Sequence, residues 1–373
     1  METCNISFRL KSLRERRNLS QDALAEQLGL KDRQSLSDIE LGERKLTAEE
    51  MVRAANFFSV AIDYFTDPLE LAGEGKFSWR QTNADRAALD SFEIKAGRWI
   101  AAYRHLSRLR GLPVNSALRR VALTAKSSFE AAAIEGAAIA QALHLGDVPA
   151  LRLVNVLEDA LDTLVLHVDT VPGVSGAACQ LSQLNCILIN RHESESRRNY
   201  DAAHEFFHLL TWSEMPPQHI EPDRPADVMD KQAKRVEQLA ESFASGLLMP
   251  VATLAAWIAR SPLPDEAGLP SWLTPAAEHL RVSRSALAWR LVNLGSISRA
   301  ACERVLAKMP GRVASVATPA PPPRFSRRFV ETLGWGIDEG HLSARRAALL
   351  LDTTLADLAA LFTEHALAIP FDL

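Results

Sequence analysis

The stretch Arg198-Asn199-Tyr200-Asp201-Ala202-Ala203-His204-Glu205-Phe206-Phe207-His208-Leu209-Leu210 decides how the rest of the chain is read, because it carries His-Glu-x-x-His within a helical pattern. Residues four apart on an α-helix project from one face, so His204 and His208 can offer their imidazoles to a single metal ion. Zinc is the usual ion for such a pair; it takes a third protein ligand and keeps one position open for water. Glu205 is then placed as the general base that takes a proton from that water as it attacks a peptide carbonyl.

A third ligand is expected from a later helix. Val236 to Pro250 supplies two candidates, Glu237 and Glu241, which are four apart and share a face in an otherwise apolar segment. One can ligate the metal while the other orients a ligating imidazole and fixes its tautomer. Glu237 is the preferred ligand and Glu241 the preferred orienting partner, with the reverse assignment left open.

Ala203-His204-Glu205-Phe206-Phe207-His208-Leu209-Leu210, followed by Glu237-x-x-Ala240-x-x-Phe243-Ala244-x-x-Leu247-Leu248-Met249-Pro250, resembles the ImmA/IrrE family of metallopeptidases over roughly residues 127–260. The resemblance implies a zincin-like fold, a zinc ion, and a repressor-like protein as substrate. Phe207 stands where the family commonly has Gly, and Leu239 and Glu241 stand where Glu and Asn are common. Arg198 and Tyr200 match family positions for Arg and an aromatic residue, and are candidates for contacts to substrate or transition state. His192 and His219 are further candidates for a donor to a developing oxyanion.

Working outward, 373 residues suffice for two or three domains, and a composition of 47% apolar and 24% charged residues with net charge −4 is globular. That charge demands no nucleic-acid partner, so any DNA contact must come from a local patch. Cys4, Cys179, Cys186 and Cys302 lack metal or framework spacing and read as reduced thiols of a cytoplasmic protein. No apolar run reaches the length of a membrane span.

Residues 1–68 read as four or five short helices, with Ser20 as an N-cap and Gly29 as a stop. Arg9 to Arg14, Leu19 to Ala25 and Ser37 to Gly42 resemble a helix-turn-helix domain of the Cro/repressor (XRE) type. The resemblance implies a DNA operator as partner, a homodimer, and a recognition helix over about 33–40 in the major groove. Arg33, Gln34 and Ser37 would face base edges; Gln21, Arg44 and Lys45 would contact phosphates.

Residues 69–126 read as a polar linker around Gly73 to Arg80 followed by a stalk of two helices over 84–124. The peptidase-like domain spans 127–260: an Ala-rich helix from Phe129, a short helix from Leu151, and strands at 164–168, 176–181 and 186–190, the last two as a hairpin. In zincins an edge strand beside the active-site helix commonly receives the substrate as an added strand, and residues 173–181 are the expected edge. The loop 215–230 is a candidate lid. A helical extension covers 261–315, Pro319 to Pro323 is an extended linker, and 325–373 form a small helical unit read as a dimerisation or partner-binding tail. The expected architecture is mainly α with a small β-sheet: a helix-turn-helix bundle, a zincin-like α+β domain and a C-terminal helical unit. The expected function is a DNA-associated regulator with a zinc endopeptidase; the alternative is a regulator whose peptidase-like domain senses a ligand or metal without turnover.

Overall fold

The computed structural model describes residues 3–71, 75–112, 118, 121–181, 183–222, 231–309 and 320–372. Five helices form the N-terminal bundle: α1 (Thr3–Arg16), α2 (Gln21–Gln27), α3 (Arg33–Leu41), α4 (Ala48–Phe58) and α5 (Asp63–Thr66). The starts of α2, α3 and α4 are set by side chains that satisfy the first amides. Ser20 accepts from Ala23 N–H, Asp32 accepts from Ser35 N–H, and Thr47 with Glu50 forms a capping box. Gly29 follows α2 in the left-handed region, at φ 64°. Leu10, Leu24, Leu28, Leu36, Ile39 and Phe58 close the core. Arg14 clamps α1 onto α3 through Glu40 at 2.7 and 2.9 Å, a bidentate pair that fixes angle as well as distance.

Beyond the bundle come β1 (Lys76–Gln81), α6 (Arg86–Leu109), α7 (Phe129–Ala142), α8 (Leu153–Asp159), β2 (Leu164–Val168), β3 (Val174–Gln180), β4 (Asn185–Asn190), α9 (Glu195–Thr211), β5 (Ile220–Pro222) and α10 (Lys231–Leu248). Helices α11 (Val251–Arg260), α12 (Leu269–Leu280), α13 (Arg284–Asn293), α14 (Arg299–Lys308), α15 (Arg327–Asp338), α16 (Ala344–Leu350) and α17 (Leu355–Glu364) complete the chain. The five strands lie in the order β2-β4-β3-β1-β5, with β3 antiparallel to both neighbours. Two apolar cores flank this sheet. Ala178, Ile187 and Ile189 face α9, α10 and the later helices up to α14. Ala177, Cys179 and Leu188 face α6 and α15 to α17.

Four features differ from the sequence expectation. Lys76–Gln81 is a strand rather than part of a polar linker: Phe77 and Trp79 alternate with Ser78 and Arg80, a period-two pattern that the neighbouring glycines obscured. The stalk is one 24-residue helix, α6, because Phe92, Trp99, Ile100, Tyr103 and Leu106 give it a continuous buried stripe. The strand over 174–180 is interior, not an edge, since β1 covers its free side. The C-terminal unit is docked, with Phe325, Phe329 and Leu333 buried against Trp99 and Tyr103 of α6. Part of the candidate lid, 223–230, lies outside the described residues, as does Pro319.

Helices α7 and α10 meet at two glycines. A Cβ on Gly246 would stand 2.0 Å from the Ala133 carbonyl oxygen, and one on Gly136 would stand 2.3 Å from that of Phe243. Both obstacles are backbone, which cannot swing aside. Gly246→Ala should therefore force the helices apart and cost about 2 kcal/mol or more, read as a lower urea midpoint at unchanged slope.

Glu158, on α8, ties this core to the C-terminal unit. Burial pushes its carboxyl up to about 7, opposed by the Ser326 hydroxyl, the Val165 N–H and Arg328. The folded chain thus holds this proton more tightly than the unfolded chain. The resulting stability is full below about pH 4.5 and is lost as pH rises through 7, by roughly 3 kcal/mol. Burial moves His167 the other way, down to about 4, so its contribution is lost as pH falls. Glu158→Gln should remove only the first effect: relative to the parent, the variant gains stability between pH 4.5 and 7.5 in urea titrations, and a pH-independent difference would contradict this.

Candidate metal centre

Helix α9 is capped by Ser194, which accepts from Arg197 N–H, and it runs unbroken to Thr211. Asp201, His204, Glu205 and His208 fall on one buried side of it, against β3 and α10. Phe206 and Phe207 pack on Phe243 of α10, with ring centroids 6.4 and 5.5 Å away. The bulky Phe207 is thus absorbed by the α9–α10 core. The close α7–α10 crossing holds α10 in place and with it Glu237.

Three side chains converge. His204 Nε2 and His208 Nε2 are 3.0 Å apart, Glu237 Oε2 is 3.1 Å from His204 Nε2, and Glu237 Oε1 is 3.4 Å from His208 Nε2. Two ligands each ~2.0–2.1 Å from a tetrahedral ion stand roughly 3.3 Å apart. The observed separations match that edge length, and the three donor groups are of the type zinc takes. Burial pushes His208 down to about 3, opposed by Glu237, so its imidazole is neutral and keeps a lone pair for a metal. Of the two glutamates on α10, Glu237 joins the cluster; Glu241, one turn on, does not.

Glu205 is fully buried, with no side-chain donor on either carboxylate oxygen and the Ala178 N–H of β3 facing it. Burial raises its pKa well above the ordinary carboxylate value, while Arg80 opposes the rise. A buried carboxylate with open acceptor sites beside three converging ligands fits a site that handles a water and a cation. Arg80, delivered by β1 and 4% exposed, lies 3.4 Å from Asp201, which also accepts from Arg197 at 3.1 Å. Sequence reading missed Arg80 and Asp201. The alternation in Lys76–Gln81 and the i, i+4 spacing of Asp201 from Glu205 were the available signals.

Other candidates fall elsewhere. Arg198 donates to the backbone carbonyls of Arg191 and Glu193, away from the cluster, where Arg198 itself lines a cavity at the start of α9. Tyr200 packs near His204, with centroids 6.4 Å apart, and its hydroxyl donates to the Glu241 carbonyl at 3.4 Å. His192 pairs with Asp169, and His219 with Glu93 and the Phe77 carbonyl.

On the N-terminal bundle, Arg33 and Gln34 are exposed in the first turn of α3, Ser37 is half-buried one turn on, and Lys45 is exposed. Arg33 donates to Gln21, Gln21 to Glu40, and Gln34 to Asp38. Arg44 is held by Glu50 at 2.6 Å, a contact that braces the cap of α4.

Among the described residues, no single helix is long and apolar enough to cross a membrane. No curated protein and no solved structure matched the chain. Two family models did: the helix-turn-helix over residues 10–65, and the IrrE N-terminal-like domain, a peptidase family, over residues 159–292. The second span contains His204, Glu205, His208 and Glu237, and the first contains α3. The chain therefore joins a helix-turn-helix domain of the XRE type to an IrrE-like peptidase-family domain.

Proposed function

We propose that this protein is a DNA-associated transcriptional regulator whose IrrE-like domain is a zinc-dependent endopeptidase acting on a repressor-like regulatory protein. The observation that carries the reading is the convergence of His204, His208 and Glu237 beside a buried Glu205 in a chain with its own helix-turn-helix. When bound, zinc supplies Lewis acidity, lowering the pKa of a coordinated water and polarising a carbonyl. His204, His208 and Glu237 hold the ion. Glu205 takes the proton from the attacking water and delivers it to the leaving amine. Tyr200, whose hydroxyl burial keeps protonated and whose ring centroid lies 6.4 Å from that of His204, is the candidate donor at the reacting centre; Arg198 is committed to its own loop. Glu241 supports the first turn of the site through its backbone carbonyl on Tyr200.

The N-terminal domain supplies the address: Arg33, Gln34 and Ser37 read an operator while Gln21, Arg44 and Lys45 grip phosphates, in a homodimer on paired half-sites in the cytoplasm. A second reading, metal or ligand sensing without turnover, is favoured by one observation: His204, Glu205 and His208 are 0% exposed.

Two measurements separate these readings. Elemental analysis of protein purified without added metal is expected to give near one zinc per chain in the parent and almost none in His208→Ala, with Glu237→Ala losing far more than Glu241→Ala. The opposite ranking of the glutamates would exchange their roles, and a metal-free parent would remove the centre. Glu205→Gln should retain zinc and lose cleavage of the regulatory protein by at least 1,000-fold, about 4 kcal/mol of barrier; a variant that still cleaves would refute Glu205 as base.

A further inference from the structure

We infer that β1 is an intrasteric strand: it occupies, on β3, the backbone ladder that an extended peptide would use beside the metal cluster, and Arg80 is the anchor that keeps it there. The inference rests on the peptidase reading and names how access to that site is controlled.

A peptide held by strand addition needs a free sheet edge, because its affinity comes from main-chain hydrogen bonds. On β3 that edge is taken. β4 pairs with one side, and β1 pairs antiparallel with the other from Lys76 opposite Gln180 to Gln81 opposite Val174. Two strands cannot share one ladder, so a substrate strand and β1 are mutually exclusive on β3.

The two faces of β1 have different tasks. Phe77 and Trp79 enter the α6 core, which makes the seated state the resting state. Ser78 and Arg80 turn to the side of α9: Ser78 donates to the Gln218 carbonyl at 2.7 Å, and Arg80 reaches Asp201. Asp201 is one helical turn before Glu205, so the guanidinium lies along the helix face that bears the cluster. A buried guanidinium is costly unless paired, and its pairing here joins the strand to the active-site helix. With β1 seated, His204, Glu205 and His208 have no exposed surface.

The strand is also built to leave. Its pairing shifts register between Arg80 and Gln81, and its outer neighbour β5 has three residues. It begins five residues after Leu71, which with Leu69 packs on the α6 core beside the Glu70–Arg98 ion pair at 2.7 Å.

Native-state amide exchange on the full chain tests this. Amides of 76–81, and those of 174–180 that face them, are expected to exchange through a local opening at least ten-fold faster than amides of 164–168 and 185–190 paired between β2 and β4. Arg80→Ala should speed the first group at least ten-fold further and leave the second unchanged, and Arg80→Lys should recover part of the protection. If 76–81 exchange only together with β2 and β4 in the parent, β1 is a permanent strand and the inference fails, whether or not Arg80→Ala folds. Lys76→Cys with Gln180→Cys, opposite each other at the outer end of the ladder, separates this from the peptidase reading. The oxidised form should lose cleavage of the regulatory protein and the reduced form regain it; an oxidised form that still cleaves overturns the strand's role. Absence of cleavage in every form, parent included, counts against the peptidase reading alone and leaves the exchange result to decide β1.

Discussion

Burial of three carboxylates in one cluster, two of them a turn apart on α9 and the third on α10, is the constraint around which this molecule is built. Asp201 and Glu205 are 0% exposed and Glu237 is 5% exposed. An ionised carboxylate removed from water is costly, and like charges placed together add to that cost, so each needs a counter-group. Asp201 has Arg80 and Arg197; Glu237 has the two imidazoles. Glu205 has no side-chain hydrogen-bond donor on either oxygen. A dication held by His204, His208 and Glu237 would balance the group as a whole, which is why the cluster reads as a candidate metal centre and not as a structural salt-bridge network.

That constraint propagates into the fold. Arg80 can reach Asp201 only from a strand beside β3, so the sheet must extend past its hairpin to include β1. Glu237 can meet the imidazoles only if α10 lies close over α9. The two glycines at the α7–α10 crossing allow this by letting backbones touch where any Cβ would collide. The aromatic pair Phe206 and Phe207 fills the space between α9 and α10, so the site is fixed by packing from both sides.

The part of this arrangement that the sequence made legible was local. His204, Glu205 and His208 follow from helical spacing, Ser20 and Gly29 from capping chemistry, and the β3–β4 hairpin from two short apolar runs on either side of a turn. Glu237 was preferred over Glu241, and it is the glutamate that enters the cluster. What could not be read was non-local. No pattern in Lys76–Gln81 announces that it pairs with a strand a hundred residues later, or that Arg80 meets Asp201 across 121 positions. The interior position of β3 and the docking of the C-terminal helices on α6 are likewise products of pairing and packing between distant segments. A six-residue strand next to glycines looks like a linker until its partner is known.

The same distance separates the two ends of the regulatory question, and the ion pairs between them form a chain of contacts. Glu40 of α3 is clamped by Arg14 of α1, and Arg9 of α1 donates to the carbonyls of Tyr64 and Glu70 at 2.7 and 2.6 Å. Glu70 in turn pairs with Arg98 of α6, and Asp67 with Arg346 of α16, just before the chain enters β1. Contact alone does not transmit a signal; an element with two arrangements is required. Beyond these contacts, β1 is the strand that reaches the helix of the cluster, through Arg80 and Asp201. Any coupling through it would be reciprocal by thermodynamic necessity: whatever at α3 favoured release of β1 would itself be favoured by a peptide that took the strand's place.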